Sequence, residues 1–336
     1  MRFALLIIVA AIIGLLVVTE IGLRSLFGFG NPLTYIGDEK IGYLLTPSQR
    51  TRRFGNRIEI NQYSMRGVNI QQVPSPSSLR ILLLGDSIAN GGWWTDQDRT
   101  ISNLMMGSLT FNLSTQVEVL NASANSWGPR NELAYLQRFG SFGAKAVVLL
   151  INTDDLFSTA PTSLPVGRDR NYPSQKPPFA LAEVFNRYIL KPKPIPGLKE
   201  IQNENGEGRS EADRVSINLE AVGQIQEFTR ANNAQFLLAM TPLLREIGEP
   251  GPRDYEIKAR QRLQNFTQSQ GITYIDFLPI FNSQFNSQNP KALYHDHIHF
   301  NLKGNQLISE KIQQKLTELF QKDPKNNSKA ELSQPK

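Results

Sequence analysis

The chain contains no cysteine and very little histidine. Its 336 residues include no cysteine and three histidines, so no disulfide bridge can form. This absence is compatible with an extracytoplasmic domain, because a core of this size needs no disulfides. All three histidines fall within five positions, as His295-Asp296-His297-Ile298-His299. Chemistry that depends on a side chain titrating near neutral pH is therefore expected at this one place.

The chain also lacks a large excess of either charge, with 36 basic and 30 acidic residues. The formal net charge is +6, and the basic residues are scattered except for Arg50, Arg52, Arg53 and Arg57. No basic platform interleaved with aromatic residues and no zinc-finger spacing is present, so we expect no nucleic-acid partner. The four arginines are expected to face solvent or to help hold the domain to a surface. Contact with acidic polysaccharide or anionic lipid is the alternative.

One stretch near the N-terminus has no charge at all. Residues 3–19 are uncharged and follow Arg2. As a helix they would span roughly 25 Å, close to the hydrocarbon thickness of a bilayer, and they have no polar face for a core helix. No clear small-x-small cleavage site follows, so residues 1–21 are predicted to be a transmembrane anchor, with a cleaved signal peptide as the alternative. Arg2 favours a cytoplasmic N-terminus and an extracytoplasmic main domain, although Arg24 weakens this bias.

The remaining chain divides according to its hydrophobic pattern. Residues 22–78 are predicted to form an irregular extracytoplasmic extension that packs against the main domain and has one short strand at Ile58-Glu59-Ile60-Asn61. In residues 79–322, strand-like and helix-like segments alternate, which predicts a parallel sheet covered by helices on both faces. The predicted strands are 80–84, 116–120, 144–151, 235–240 and 272–277, and the predicted helices are 100–110, 129–142, 212–232, 254–270 and about 303–320.

Two segments depart from this alternation. A proline-rich insertion at about 157–211 is expected to shape access to the site or to be a solvent-exposed excursion. The polar, lysine-rich residues 323–336 are predicted to be disordered.

A serine follows the first predicted strand of the main domain, in Leu84-Gly85-Asp86-Ser87. Ligands on parallel sheets bind beyond the carboxyl ends of the strands. A serine hydroxyl becomes an effective nucleophile when a base removes its proton and a third group orients that base. Ser87, His299 and Asp296 offer these three groups. The alternatives are a helix N-cap for Ser87 and a hydrogen-bonded loop pair for His299 and Asp296.

Two motifs together resemble the SGNH (GDSL-type) hydrolase superfamily. They are Gly85-Asp86-Ser87 and Asp296-His297-Ile298-His299, the second followed by Asn301-Leu302-Lys303-Gly304, and the resemblance covers roughly residues 79–322. It implies a flavodoxin-like three-layer sandwich with a parallel sheet, with Ser87 as nucleophile, His299 as general base and Asp296 as its orienting partner.

The resemblance also implies an activity. The implied enzyme is a serine esterase that works through an acyl-enzyme on an O-acylated carbohydrate or a small ester, without a cofactor. A polysaccharide O-acyltransferase with the same triad is one alternative. A catalytically weak carbohydrate-binding or assembly protein is another.

The oxyanion donors depart from the family pattern. Beside the Ser87 N–H, the family uses the glycine of Asn-Ala-x-x-x-Gly, where this chain has Ser126, with Gly128 two residues later. The family pattern Gly-x-Asn-Asp falls on residues 152–155 and puts Asp154 where an amide donor is expected. Losing one donor costs about a hundredfold to a thousandfold in rate. Asn152, on the same strand face, or a protonated Asp154 would restore a donor.

Metal binding is the other interpretation of the histidines. His295, His297 and His299 alternate, so on an extended strand they would share one face and could bind zinc. No distant Glu, Asp or Cys cluster is obviously paired with them, and we therefore expect no metal. Trp93 and Trp94 follow the serine turn, where they would contact a sugar ring or acyl chain, pack in the core or face the membrane.

Overall fold

The chain begins with an apolar helix that is exposed along its length. A computed structural model describes residues 1–113, 115–198, 211–285 and 289–321. Helix α1 covers Arg2–Gly22 and continues as a π-helical turn over Leu23–Phe27. No residue of α1 is buried, and its most apolar window has a mean hydropathy of 2.8. Within the described ranges this is the one helix long and apolar enough to cross a membrane, a test that a signal sequence also passes.

Two antiparallel hairpins follow, in the segment that the sequence predicted to be irregular. Their strands are β1 (Tyr35–Asp38), β2 (Gly42–Leu45), β3 (Gln49–Arg53) and β4 (Asn56–Ile60), paired β1–β2 and β3–β4. Only the last of them was indicated by an alternating pattern. Leu45 and Ile58 are buried in the same cluster as Leu82 of the main sheet. The extension therefore shares a hydrophobic core with the main domain.

A five-stranded parallel sheet forms the centre of the fold. Its strands are β5 (Ser78–Gly85), β6 (Gln116–Ser123), β7 (Ala146–Asn152), β8 (Gln235–Thr241) and β9 (Thr273–Asp276). Their spatial order is β6-β5-β7-β8-β9, which is the flavodoxin-like order. All five predicted strands are present, and the predicted fold class is confirmed. The strands could be read from the sequence because strands buried on both faces are nearly continuous apolar runs.

Helices cover both faces of this sheet. The helices after β4 are α2 (Ser87–Asn90), α3 (Ile101–Leu113), α4 (Pro129–Phe139), α5 (Ala180–Val184), α6 (Glu211–Ala231), α7 (Asp254–Ser269), α8 (Phe277–Phe285) and α9 (Leu302–Gln321), of which α5 lies in the insertion and not on the sheet. Leu82 packs in one core cluster with α4, α6 and α7, whereas its neighbour Leu83 packs in a second cluster with α3, α8 and α9. The result is a three-layer sandwich. The sequence predicted five of these helices and missed α2, α5 and α8.

The proline-rich insertion packs against the end of α1. Its part up to residue 198 contains α5 and a π-helical turn at Phe185–Ile189. The Glu20 carboxylate of α1 accepts hydrogen bonds from the N–H groups of Ala180 at 2.7 Å and Leu181 at 3.0 Å. The rest of the predicted insertion up to residue 210, and the predicted disordered tail 323–336, lie outside the described residues.

Candidate active site

Ser87 is the first residue of α2, directly beyond the carboxyl end of β5. Gly85 ends the strand where a Cβ would lie 2.7 Å from the carbonyl oxygen of Leu150, so only glycine permits this close approach. Asp86 caps α2, since its Oδ1 accepts the Ile88 N–H at 2.8 Å. The capping role considered for Ser87 therefore belongs to Asp86. Ser87 itself lies in the wall of a cavity.

Ser87, His299 and Asp296 form one hydrogen-bonded chain. His299 Nε2 lies 2.8 Å from Ser87 Oγ, and His299 Nδ1 lies 2.7 Å from Asp296 Oδ2. The other Asp296 oxygen accepts the backbone N–H groups of Ile298 and His299 at 2.9 and 2.8 Å, which fixes the carboxylate within its own loop. Because the carboxylate favours the proton on Nδ1, Nε2 is left to accept the serine proton.

Opposing effects act on the pKa of Asp296. Partial burial raises it, but hydrogen bonds from the His299 ring and from two backbone N–H groups outweigh burial and bring the pKa below its usual value. Asp296 is therefore ionised at neutral pH. An ionised carboxylate in contact with Nδ1 stabilises the imidazolium that forms when His299 takes a proton.

Trp94 packs against two of the histidines. Its ring lies 4.2 Å from the His299 ring between centroids, and it stacks on His295 at 5.6 Å with an interplanar angle of 8°. Gly92 has a φ of +49°, and a Cβ at that position would collide with the Trp94 indole. The turn after Ser87 thus needs glycine to fold Trp94 back onto the site.

A buried arginine holds the loop that carries Trp94. The Arg66 guanidinium donates to the carbonyl oxygens of Asn90 at 3.2 Å, Gly92 at 2.7 Å and Thr95 at 2.8 Å. Burial lowers the pKa of Arg66 to about 9. Arg66 follows β4, so the N-terminal extension positions part of the active-site wall. From the sequence, Arg66 was considered for contact with the site or for a structural salt bridge, whereas its partners here are mainly backbone carbonyl oxygens.

Ser126 lines the same cavity as Ser87 and has a left-handed backbone conformation. Its φ is +58°, and its Oγ accepts a hydrogen bond from the Tyr172 hydroxyl at 3.0 Å. Glycine adopts this conformation without strain, whereas an L-residue pays roughly 1–2 kcal/mol. The chain thus has a serine in a glycine-like conformation where the family pattern has glycine.

Two other expected oxyanion donors are engaged elsewhere. The Gly128 N–H donates to Asn131 Oδ1 at 3.0 Å, within the cap of α4. The Asn152 side-chain amide donates to Asp86 Oδ2 at 3.0 Å and to Asp155 Oδ2 at 2.9 Å. The structure therefore assigns these N–H groups to a helix cap and to a pair of carboxyl groups, and neither is directed at the cavity.

Asp154 lies in the short 3-10 helix that follows β7. Its N–H donates to Asn152 Oδ1 at 2.7 Å, and its side chain is exposed. Loss of solvent around the carboxyl group raises the pKa of Asp154, and the positive charge of Arg245 opposes this effect. Asp154 is not among the described residues that line the cavity with Ser87. The Asp154 carboxylate is therefore not part of the cavity wall, and the oxyanion role that the family pattern gives to this position stays a prediction.

Three buried carboxyl groups lie close to the nucleophile turn. Asp86 and Asp155 share the amide of Asn152, and Glu132 is completely buried with no hydrogen-bond partner for either carboxyl oxygen. Burial raises the pKa of all three groups, and the charge of Asp86 raises those of Glu132 and Asp155 further. Burial therefore disfavours the ionised form of each of these three carboxyl groups, in contrast to Asp296.

The three histidines do not converge on one point. The rings of His295 and His299 each pack on Trp94, and the His297 side chain is 86% exposed. Over the described ranges, the structure contains no group of three or more His, Cys, Asp or Glu side chains arranged to hold a metal ion. His299 instead bonds to Ser87 and Asp296.

The cavity in front of Ser87 is built from distant parts of the chain. Its volume is about 440 Å³, within the range of small-molecule sites. Phe29 comes from the segment after α1, Arg53 from β3, Trp94 from the serine turn and Tyr188 from the insertion. The insertion and the N-terminal extension therefore contribute side chains to the cavity wall, and a role of the insertion in substrate access stays a prediction.

The chain belongs to the GDSL-like Lipase/Acylhydrolase family. The model of this family matches residues 83–307, which is more than half of the chain and includes Ser87, Asp296 and His299. The fold and the family define the protein as a hydrolase that acts on ester bonds.

Solved structures of esterases resemble the chain at low sequence identity. Axe2, an acetylxylan esterase from Geobacillus stearothermophilus, is 13% identical, with a TM-score of 0.46 over 71% of this chain and 94% of that chain. LAE5, an alpha/beta hydrolase enzyme from the metagenome of Lake Arreo, Spain, is 14% identical, with a TM-score of 0.43 over the same shares. A comparison with curated proteins found no match. Similarity at this level bears on neither substrate nor mechanism.

Proposed function

We propose that this protein is a membrane-anchored serine esterase that cleaves an acyl ester of a carbohydrate through an acyl-enzyme on Ser87. The observation that carries this proposal is the continuous hydrogen-bonded chain from Ser87 Oγ through the His299 ring to Asp296, with separations of 2.8 and 2.7 Å. A serine, a base and an orienting carboxylate in this geometry form the standard arrangement for acyl transfer.

The reaction follows from this geometry in two halves. His299 Nε2 takes the proton from Ser87 Oγ as the oxygen attacks the acyl carbon, and the resulting imidazolium returns that proton to the departing sugar hydroxyl. Water then attacks the acyl-serine, again losing its proton to Nε2, and the acid is released as Oγ regains a proton. Asp296 keeps the imidazole in the required orientation throughout both halves.

The oxyanion is expected to be stabilised by backbone N–H groups. The Ser87 N–H belongs to the first residue of α2, where helix N–H groups point outward with the positive end of the peptide dipoles. Ser126 lies across the cavity in its left-handed conformation and offers the second N–H. This pair replaces the side-chain amide that the family pattern would have supplied at Asp154.

The lining of the cavity suits a sugar. Trp93, Trp94 and Tyr172 present aromatic faces and edges, which pack on the apolar faces of sugar rings. Asn125 and Arg170 add hydrogen-bonding groups that fit hydroxyl and ester oxygens. A mixed wall of this kind fits an O-acylated carbohydrate better than a purely apolar ester.

The same proposal places the protein at a membrane. Residues 1–21 would anchor it, residues 22–78 would form the extension, and residues 79–322 the catalytic domain, on the extracytoplasmic side. The uncharged stretch over residues 3–19, its complete exposure as a helix and Arg2 before it support this arrangement.

The test is covalent labelling of the full-length protein in detergent with a fluorophosphonate, followed by peptide mapping. Labelling is expected at Ser87 and is expected to disappear in His299→Ala. His297→Ala is the matched control, because this histidine lies in the same loop but is 86% exposed, so that variant should label normally. A folded protein that does not label at Ser87 would refute the proposal.

If Ser87 labels, a second assay distinguishes ester hydrolysis from acyl transfer. Release of free acid from an acetylated sugar without an added acceptor supports the esterase. Acyl transfer that requires an acceptor sugar would identify the alternative, an O-acyltransferase that uses the same triad.

A further inference from the structure

A band of exposed apolar side chains surrounds the C-terminal end of α1. Its members come from the π-helical turn after α1 and from the segment around α5, and each is at least 41% exposed. We call this set the collar: Leu26, Phe27, Phe179, Phe185, Ile189 and Leu190. An apolar surface of this kind costs free energy in water, so a covered state is expected.

The collar is fixed at the level where the uncharged part of α1 ends. Glu20 is the first charged residue after residues 3–19, and its carboxylate binds the N–H groups that directly follow Phe179. Arg24 bonds to Glu20 at 2.6 Å and also donates to the Pro178 carbonyl oxygen at 2.9 Å. Phe179 is therefore held beside the point at which α1 would leave the hydrocarbon.

Buried ion pairs make the collar a rigid part of the domain. Glu183 of α5 is buried and bonds to Arg53 of β3 at 2.5 Å, to Arg187 at 2.8 Å and to the Gly30 N–H at 2.6 Å. Breaking such a buried network leaves an uncompensated charge, which is costly. The position of the collar relative to the catalytic domain is thus set by the fold.

The composition around the collar matches a membrane interface. Lys191 and Lys193 follow the collar directly and are exposed, and Arg52 is exposed on the adjoining hairpin. Aromatic and aliphatic residues bordered by Lys and Arg are typical of segments that lie at the level of the lipid headgroups. Continuity with α1 identifies the covering partner as the same bilayer rather than a separate protein.

A path of aromatic rings connects the collar to the catalytic histidine. The centroids are 5.9 Å apart for Phe27 and Phe54, 5.3 Å for Phe54 and Trp93, and 5.7 Å for Trp93 and Trp94. Trp94 then contacts His299 at 4.2 Å. Phe54 and Trp93 are exposed and line the cavity, so the opening of the cavity adjoins the collar.

We propose that the collar is a second membrane-binding element, which lies in the interfacial region of the bilayer and holds the opening of the Ser87 cavity at the lipid surface. The inference rests on α1 spanning the membrane, as in the proposed function. It adds that the site works on esters within reach of the headgroups, and that it is not suspended in the aqueous space by a flexible tether.

The absence of cysteine makes a direct test possible. Single variants Phe185→Cys and Ile189→Cys of the full-length protein would carry a nitroxide label in vesicles of phosphatidylcholine and phosphatidylglycerol. Collision of the label with oxygen, which partitions into lipid, is compared with collision with a water-soluble nickel chelate. Phe111→Cys is the matched control, an 85% exposed phenylalanine at the end of α3. Leu15→Cys reports whether α1 itself lies in lipid.

The expected result is severalfold less collision with the nickel chelate at Phe185→Cys and Ile189→Cys than at Phe111→Cys, with oxygen collision retained. The inference would be overturned if the collar labels collide with the nickel chelate as often as the label at Phe111→Cys does while the label at Leu15→Cys is shielded. That result would leave the anchor intact. Immobile labels shielded from both reagents would mean that a protein covers the collar, and would also overturn the inference. If the label at Leu15→Cys collides freely with the nickel chelate, α1 does not lie in lipid, and both the anchor and the inference are refuted. Fluorophosphonate labelling of Ser87 tests the proposed chemistry separately.

Discussion

The indole of Trp94 lies 4.2 Å from the imidazole of His299, measured between ring centroids and at an angle of 45°. His299 is thereby held from three directions, by Trp94 on its ring, by Asp296 at Nδ1 and by Ser87 at Nε2. Catalytic rates depend on such orientation, because a base that rotates away from the serine must be brought back before each turnover.

Replacing Trp94 by alanine is expected to slow the labelling of Ser87 by about two- to tenfold, the size of one aromatic contact of ~0.5–1.5 kcal/mol. Trp94→Phe retains a ring against His299 and should recover most of the loss. Both variants are compared by the rate constant of fluorophosphonate labelling and by circular dichroism. Equal labelling rate constants for Trp94→Ala and the unchanged protein would show that Trp94 does not orient the imidazole.

Ser126 is expected to act through its backbone and not through its hydroxyl. Ser126→Gly keeps the N–H and relieves the left-handed φ of +58°, so the hydrolysis rate of a small aryl ester should stay within about threefold, against the hundredfold typical of a lost oxyanion donor. Ser126→Val keeps the N–H but is strained in this conformation, and it should lose activity. Tyr172→Phe controls for the hydroxyl contact. A hundredfold loss in Ser126→Gly would instead identify the side chain as the donor.

Asp154 provides a direct comparison with the family pattern. Asp154→Asn restores the family's amide, yet the side chain is exposed and does not line the Ser87 cavity, so the rate should change by no more than about twofold. The measurement is kcat/KM for the same aryl ester, with folding checked by circular dichroism. An increase of two orders of magnitude would mean that Asp154 does reach the oxyanion and that its carboxylate limits the enzyme.

The features that the sequence predicted correctly are those that depend on local pattern. The strands of the central sheet are buried apolar runs, and their alternation with helices was sufficient for the fold class. Asp296 and His299 are three residues apart in one loop, so the local conformation of that loop is enough to bring their side chains together. Ser87 was selected because it follows a strand, where parallel sheets bind ligands, and its role as nucleophile stays a prediction.

The features that were missed depend on contacts between distant segments. Hairpin strands β1 to β3 lack a clear alternating pattern and become stable through packing on the main domain. The amide of Asn152 is bound by Asp86, 66 positions away, which no strand periodicity could indicate. Arg66 supports the Trp94 loop from 26 to 29 positions away, through carbonyl oxygens that have no sequence signature.

Glu132 should make folding stability depend on pH. Burial holds its pKa well above the usual value, so the native state keeps a proton that the unfolded chain releases above about pH 4.3. Native stability therefore falls as pH rises from that value toward the raised pKa of Glu132, by up to about 1.4 kcal/mol per pH unit. Below about pH 4.3 both states are protonated and the effect vanishes.

Glu132→Gln removes this titration without changing the size of the side chain. The unfolding temperature of the variant relative to the unchanged protein is expected to rise between about pH 5 and about pH 8, because the variant lacks the linked proton. Glu227→Gln on α6 is the matched control, an exposed glutamate whose replacement should leave the two curves parallel. Parallel curves for Glu132→Gln as well would mean that Glu132 has the same pKa in the folded and unfolded states.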